Sequence, residues 1–240
     1  MPSPLPLLIL KTGSTFDDLA AARGDFEHWT AQTMGLAPGQ WSCADVCCGD
    51  PLPDPAGLVG CVVTGSHDMV TDEADWMLAT GHWLAGAVDV GLPLLGICFG
   101  HQLMAHVLGG RAAYHADGPE IGTVEVTLTA EAAGDPLFST MPPVFLGHVT
   151  HSQTALALPP QSVILAASDH DPHQAFRLGS HAWGVQFHPE FDAGATRHYV
   201  TAQAAKIAAH GGDPEAVRAQ VRETPESADL LRRFAAYCLG

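Results

Sequence analysis

The stretch LPLLGICFGHQLMAHVLGG, residues 92–110, sets one cysteine between two glycines where a strand pattern turns into a helix pattern. Leu92 to Ile97 is a short apolar run of the kind that buried parallel strands carry. From Phe99 onward the apolar residues Leu103, Met104 and Val107 return at helical spacing, and Gly109-Gly110 supplies a stop. Cys98 therefore falls at a strand–helix junction, with Gly96 and Gly100 two positions to either side. This is the pattern of a nucleophile elbow with cysteine in place of serine. Glycines permit a tight turn and a close substrate, and a helix N-terminus favours a thiolate.

Upstream of the elbow, strands and helices alternate. PLLIL reads as a first strand, and FDDLAAARGDFEHWTAQTMGL as a helical region interrupted at Arg23-Gly24. SCADVCC reads as a second strand, LVGCVVTG as a third, and ADWMLATGHWLAGAVDV as a helix. The rhythm predicts a mostly parallel sheet with helices on both faces, and functional residues beyond the carboxyl ends of its strands. Downstream, EIGTVEVTLTA, PVFLGHVTHSQT, SVILAASD, QAFRLG and AWGVQFHPEF form a β-rich second half. After Phe191 the pattern is helical to the end, with restarts at Asp213-Pro214 and Thr224-Pro225. No linker divides the chain, so residues 1–240 read as a single domain, with C-terminal helices over 194–240 packing on it.

Composition narrows the function. The net charge is −16 with only ten Lys and Arg, which excludes a basic nucleic-acid surface. No basic amphipathic helix suggests a membrane surface, and the apolar start LPLLIL is too short to cross a bilayer. A cytoplasmic location is expected, with no signal peptide. Six cysteines in 240 residues do not make a disulfide framework. Cys43, Cys47 and Cys48 read as buried strand residues rather than metal ligands, because no second ligand pair follows them.

A cysteine nucleophile needs a base, and the base needs a group to orient it. Among fourteen histidines His188 stands out, because its strand ends in His-Pro-Glu and Glu190 can turn back to the imidazole. Cys98, His188 and Glu190 then compose a triad. The Phe99 amide, directly after the nucleophile, and the Gly65 amide, at the turn of VVTGSHD, are the expected oxyanion donors.

GICFGHQ followed by a Gly-Gly pair, and GVQFHPEF near the end of the β-rich half, resemble the class I (triad) glutamine amidotransferases. The resemblance runs from the first strand to Phe191. It implies a flavodoxin-like α/β fold and a thiolate that attacks a γ-carboxamide, releasing ammonia and leaving a glutamyl thioester that water clears. It also implies that Gln102 grips the amino-acid end of the substrate, and that GPEIG places Glu120 and Ile121 near the pocket. His151 and Ser152 match by position a segment where relatives carry His before Gly or Asp, and here that Gly or Asp is absent. Ser66 and His67, in the turn after Gly65, complete the expected substrate pocket. A zinc site from His148, His151, His170 and His173 is the less favoured reading of those histidines. No GxxxxGK[ST] loop is present, and no cofactor or metal is expected.

Within the family the motifs are nearest to free-standing members that resemble the amidotransferase domain of GMP synthase and γ-glutamyl peptidases. The expected substrate is glutamine or a γ-glutamyl small molecule. Two alternatives stand beside a free hydrolase: an ammonia-supplying subunit of a synthetase, and an idle binding protein on the same scaffold. The intact Cys, His and Glu argue against the second. The amine carried by the substrate and any homo-oligomer are not legible in the sequence.

Overall fold

The computed structural model describes residues 6–240; of the apolar start, Leu5 lies outside it. Among the described residues, eleven strands and eight α-helices follow one another, alternating in the first half and β-rich in the second. Strand β1 spans Leu7–Lys11, helix α1 Asp17–Arg23 and helix α2 Phe26–Met34. Gly24, at φ 80°, separates the two helices where the sequence shows its interruption. Strand β2 (Trp41–Asp45), strand β3 (Gly60–Val63), helix α3 (Asp75–Asp89), strand β4 (Leu94–Ile97) and helix α4 (Phe99–Val107) complete the first half. Strand β5 (Arg111–Tyr114), β6 (Glu120–Leu128), β7 (Val144–His151), β8 (Gln153–Ala157), β9 (Val163–Ala167), β10 (Ala175–Leu178) and β11 (Ala182–Val185) form the second. Helices α5 (Ala193–Ala202), α6 (Ala204–Ala209), α7 (Pro214–Gln220) and α8 (Pro225–Leu239) close the chain.

Nine strands make one sheet in the order β2-β1-β3-β4-β11-β10-β9-β6-β7. The pairs from β2 to β11 are parallel, and those from β11 to β7 are antiparallel. Alternation along β1 sends Leu7 and Ile9 into one core and Leu8 and Leu10 into the other, so the sheet is covered on both faces. The register that matters is β11 on β4. Val185 pairs with Ile97, and the Cys98 amide donates to the Val185 carbonyl at 2.8 Å. That parallel pairing brings the loop after β11 beside the elbow, although the two lie some ninety residues apart in sequence.

Some local expectations need correction. Strand β2 stops at Asp45, and Cys47 and Cys48 sit on a 3-10 turn capped by the Asp45 side chain. All three cysteines of that segment are exposed, not buried, because β2 is an edge strand and the turn leaves the sheet. Strand β5, which has no strong alternation, pairs with β8 in a separate two-stranded sheet. The strand before His188 ends at Val185, so the histidine lies in a loop. Asp213 caps α7 through the Glu215 amide, whereas the Thr224 side chain makes no capping bond. Among the described residues no helix is long and apolar enough to cross a membrane.

Candidate active site

The elbow is built by close approach, and its strain falls on the cysteine itself. Cys98 has φ 49° and ψ −98°, a region that costs a non-glycine residue about 1–3 kcal/mol. Gly96 and Gly100 keep ordinary negative φ. Their role is proximity: a Cβ on Gly96 would lie 2.5 Å from the Gly100 backbone, and one on Gly100 would lie 2.4 Å from the Val63 carbonyl oxygen. The two glycines let α4 start directly against β4 and β3, and Cys98 is fixed between them, 5 % exposed.

His188 is held on three sides. Its backbone amide donates to the His148 carbonyl at 2.7 Å, its Nδ1–H donates to Glu190 Oε1 at 2.8 Å, and Phe191 stacks on its ring at 4.1 Å. Burial by itself would lower the imidazole pKa, but the Glu190 carboxylate and Cys98 outweigh it and raise it to about 10. Nε2 makes no hydrogen bond of full geometry, although Cys98 is near enough to contribute to that rise. Gly65 closes the arrangement: a Cβ there would stand 3.0 Å from His188 Cε1 and 4.0 Å from Cys98 Cβ. The turn after β3 thus passes as close to the Cys–His pair as a backbone can.

A cavity of about 250 Å³ opens over the thiol. Cys98, Phe99 and Gln102 line it from α4, Ser66 and His67 from the turn after β3, and His151 and Ser152 from the end of β7. Gln102 donates through Nε2 to the Gln153 carbonyl at 2.6 Å and to Gln186 Oε1 at 3.0 Å, which pins its amide against the floor. His67 Nε2 bonds the Tyr199 hydroxyl at 3.1 Å, and that hydroxyl bonds Thr15 Oγ1 at 2.9 Å. Burial, then the charge of His188, lowers the His67 pKa.

Glu120 and Ile121 are not on the cavity wall. Successive side chains of a strand point to opposite faces. Glu120 lies behind His151, accepting from its Nε2 at 3.0 Å, from Gln174 Nε2 at 2.8 Å and from Ser168 Oγ at 3.0 Å. Ile121 packs instead with Val200, Ile207 and Val221 of the C-terminal helical region. The zinc reading of the four histidines finds no geometry, since among the described residues no three His, Cys, Asp or Glu side chains are placed to share a metal ion. His148 is fully buried, bonded through Nδ1 to Thr123 Oγ1, with its pKa lowered to about 4 by burial and then by His188. His170 and His173 bond the Gly118 and Ala155 carbonyls. Sequence reasoning missed Gln153, Tyr199 and Lys206 at the site. Gln153 directly follows the His151-Ser152 pair but was not singled out; the other two lie in the helical tail and carried no signal.

The glutamine amidotransferase class-I family model matches residues 63–207, more than half of the chain. The chain belongs to the class I glutamine amidotransferase family. It is 28 % identical over 191 residues to γ-glutamyl peptidase 5 of Arabidopsis thaliana, across 78 % of this chain and 75 % of that protein. It is 42 % identical over 103 residues to the glutamine-hydrolysing GMP synthase of Thermomicrobium roseum, across 43 % of this chain but only 19 % of that protein. Among solved structures it is similar to a glutamine amidotransferase from Thermotoga maritima, with a TM-score of 0.76 at 19 % identity over 98 % of this chain and 99 % of that one. At that identity the likeness speaks for the fold. The matched segment spans Gly65, Cys98, Gln102, His188 and Glu190.

Proposed function

We propose that the chain hydrolyses the γ-carboxamide of glutamine or of a γ-glutamyl compound through a thioester on Cys98. The observation that supports this best is the pair of contacts at His188: Glu190 fixes Nδ1 at 2.8 Å, while Nε2 is left for the thiol and substrate. Cys98 Sγ attacks the carboxamide carbon and a C–S bond forms, with the oxyanion facing the Gly65 and Phe99 amides. The protonated His188 gives its proton to the leaving nitrogen as the C–N bond breaks. Water then attacks the thioester, His188 takes its proton, and the C–S bond breaks to release glutamate. Gln102 holds the amino-acid end of the substrate, with Ser66, His67, His151 and Ser152 as walls. Glu190 orients the imidazole and stabilises its charged form without moving a proton.

Purified chain supplied with glutamine, γ-glutamyl peptides and γ-glutamyl amines should release glutamate from at least one of them without ATP. Cys98→Ala and His188→Ala should each abolish that activity, and the double variant should be no worse, since such residues act as a unit. Near-normal turnover by folded His188→Ala overturns the triad. The GMP synthase relatives favour a second reading, in which the chain supplies ammonia to a synthetase partner. Activity that appears only with cell extract and ATP would select it. For both readings we expect a cytoplasmic setting, a compartment that keeps free cysteines such as these six reduced.

A further inference from the structure

We propose that the cavity over Cys98 is the inner half of a two-part cleft, whose outer half binds a carboxylate on the leaving portion of the substrate with Lys206 as counter-ion. The inference rests on the γ-glutamyl hydrolase reading and names its substrate class: γ-glutamyl amino acids or peptides with a free carboxylate, in preference to glutamine and to γ-glutamyl amines.

The outer cavity measures about 630 Å³ and shares Met69, Ser152 and Lys206 with the inner one. Glutamine leaves as ammonia and has no group to put there. A substrate held by Gln102 with its scissile bond at Cys98 would find the outer cavity by extending its leaving portion along the shared wall. Lys206 stands on that wall, donating to Ser152 Oγ at 3.3 Å. It is one of two lysines in the chain, and among the described residues it is the one Lys or Arg lining either cavity. Lys11, the other lysine, is spent on Asp25 and Glu27, and Arg23 and Arg177 on Asp192 and Asp135. Lys206 has no carboxylate within ion-pair distance among the described residues. In a chain of net charge −16, a cation left unmatched between two cavities, one of them over the nucleophile, is set out for an anion that comes with the ligand.

The rest of the outer wall is consistent with an anion. His115 lines the outer cavity, and its Nδ1 accepts from the Asp117 amide at 3.2 Å, which leaves Nε2 as the ring nitrogen able to donate. His210 bonds the Lys206 carbonyl through Nδ1, tying its ring to the same turn of α6. Asp68 on the inner wall and Asp117 on the outer are the acids of the cleft, and neither is paired with Lys206.

The experiment compares γ-glutamylglycine with γ-glutamylglycinamide, which differ in the carboxylate alone. Full-length wild type, Lys206→Met and Lys206→Arg are assayed for glutamate release. At low salt the wild type should favour the acid in kcat/KM by about fivefold, the upper end of what an exposed ion pair supplies. The preference should shrink with added salt, fall toward one in Lys206→Met and persist in Lys206→Arg. Calorimetric binding of the same two compounds to Cys98→Ala gives the discrimination without turnover. A wild-type ratio near one in both measurements, or a ratio unchanged in Lys206→Met, overturns the proposal. If no γ-glutamyl compound is turned over, the hydrolase reading fails separately, and the binding ratio still decides the cleft.

Discussion

Gly100→Ala tests whether close backbone approach places Cys98, the proposed nucleophile. The added Cβ would meet the Val63 carbonyl oxygen at 2.4 Å and Val63 Cβ at 2.9 Å, whereas ordinary contact begins at 3.4 Å. The shortfall, 3.4 minus 2.4, is about 1 Å, and the closest opposing atom is backbone in the middle of the sheet. It cannot rotate away, so α4 must lift, weakening the Gly100 amide bond to the Thr64 carbonyl now at 3.2 Å. Cys98, adjoining the first turn of that helix, moves with it. Overpacking of this kind costs roughly 1–3 kcal/mol, which is a melting-temperature loss of about 3–10 °C for a chain of this size. A displacement of about 1 Å at a reacting atom costs on the order of 10²-fold in rate. Gly86→Ala is the control: it lies in α3 with nothing within 4 Å of the added Cβ. There alanine should stabilise by about 0.5–1 kcal/mol. Thermal melts and kcat/KM on the best γ-glutamyl substrate read both effects. A Gly100→Ala protein that melts like wild type and turns over at full rate refutes the reasoning. Lost stability with full activity refutes the coupling of helix position to the thiol.

Brief iodoacetamide treatment near neutral pH, followed by peptide mapping, should label Cys98 first even though Cys43, Cys47 and Cys48 are more exposed. Although solvent reaches these side chains, partial desolvation and then Glu27 push the Cys43 thiol up to about 11, partial desolvation and then Asp45 push Cys47 to about 12, and Asp45 raises Cys48. Equal labelling of the four, or no slowing at Cys98 in His188→Ala, contradicts the pairing. Stability should also fall on acidification from about pH 7 to pH 5, read as urea midpoints. His101 and His148 have their pKa lowered to about 4, chiefly by burial, so the unfolded chain takes up protons that the folded one refuses. Their contribution is present above about 6.5 and is lost as pH falls toward 4, at up to about 1.4 kcal/mol per pH unit for each histidine. His188, raised instead, contributes below about 6.5 and loses its share as pH rises through about 10. His148→Gln should flatten the acid limb; an unchanged limb refutes its assignment.

The residues we propose to do the chemistry were the legible part, because each combines a reactive group with a local backbone device. Cys98 sits at a strand–helix change, and His188 is followed by a proline and an acid two positions on. The substrate walls were less legible. Glu120 and Ile121 stand next to each other in sequence, yet the strand pleat sends one behind His151 and the other against the C-terminal helices. The exposure of Cys43, Cys47 and Cys48 follows from where β2 lies in the sheet, and strand order is not a local property.

By itself the sequence determined the alternation of elements, the elbow and the pairing of His188 with Glu190, since these depend on neighbours within a few positions. Only the tertiary structure decided that β11 lies parallel to β4, setting His188 against Cys98 across some ninety residues. It also decided that the glycines flanking the cysteine serve proximity, while Cys98 carries the strained backbone. And it carried Lys206 from the helical tail to the mouth of the cavity. A pattern along the chain records which faces must be buried; which buried faces meet is settled by the packing of the whole sheet and its helices.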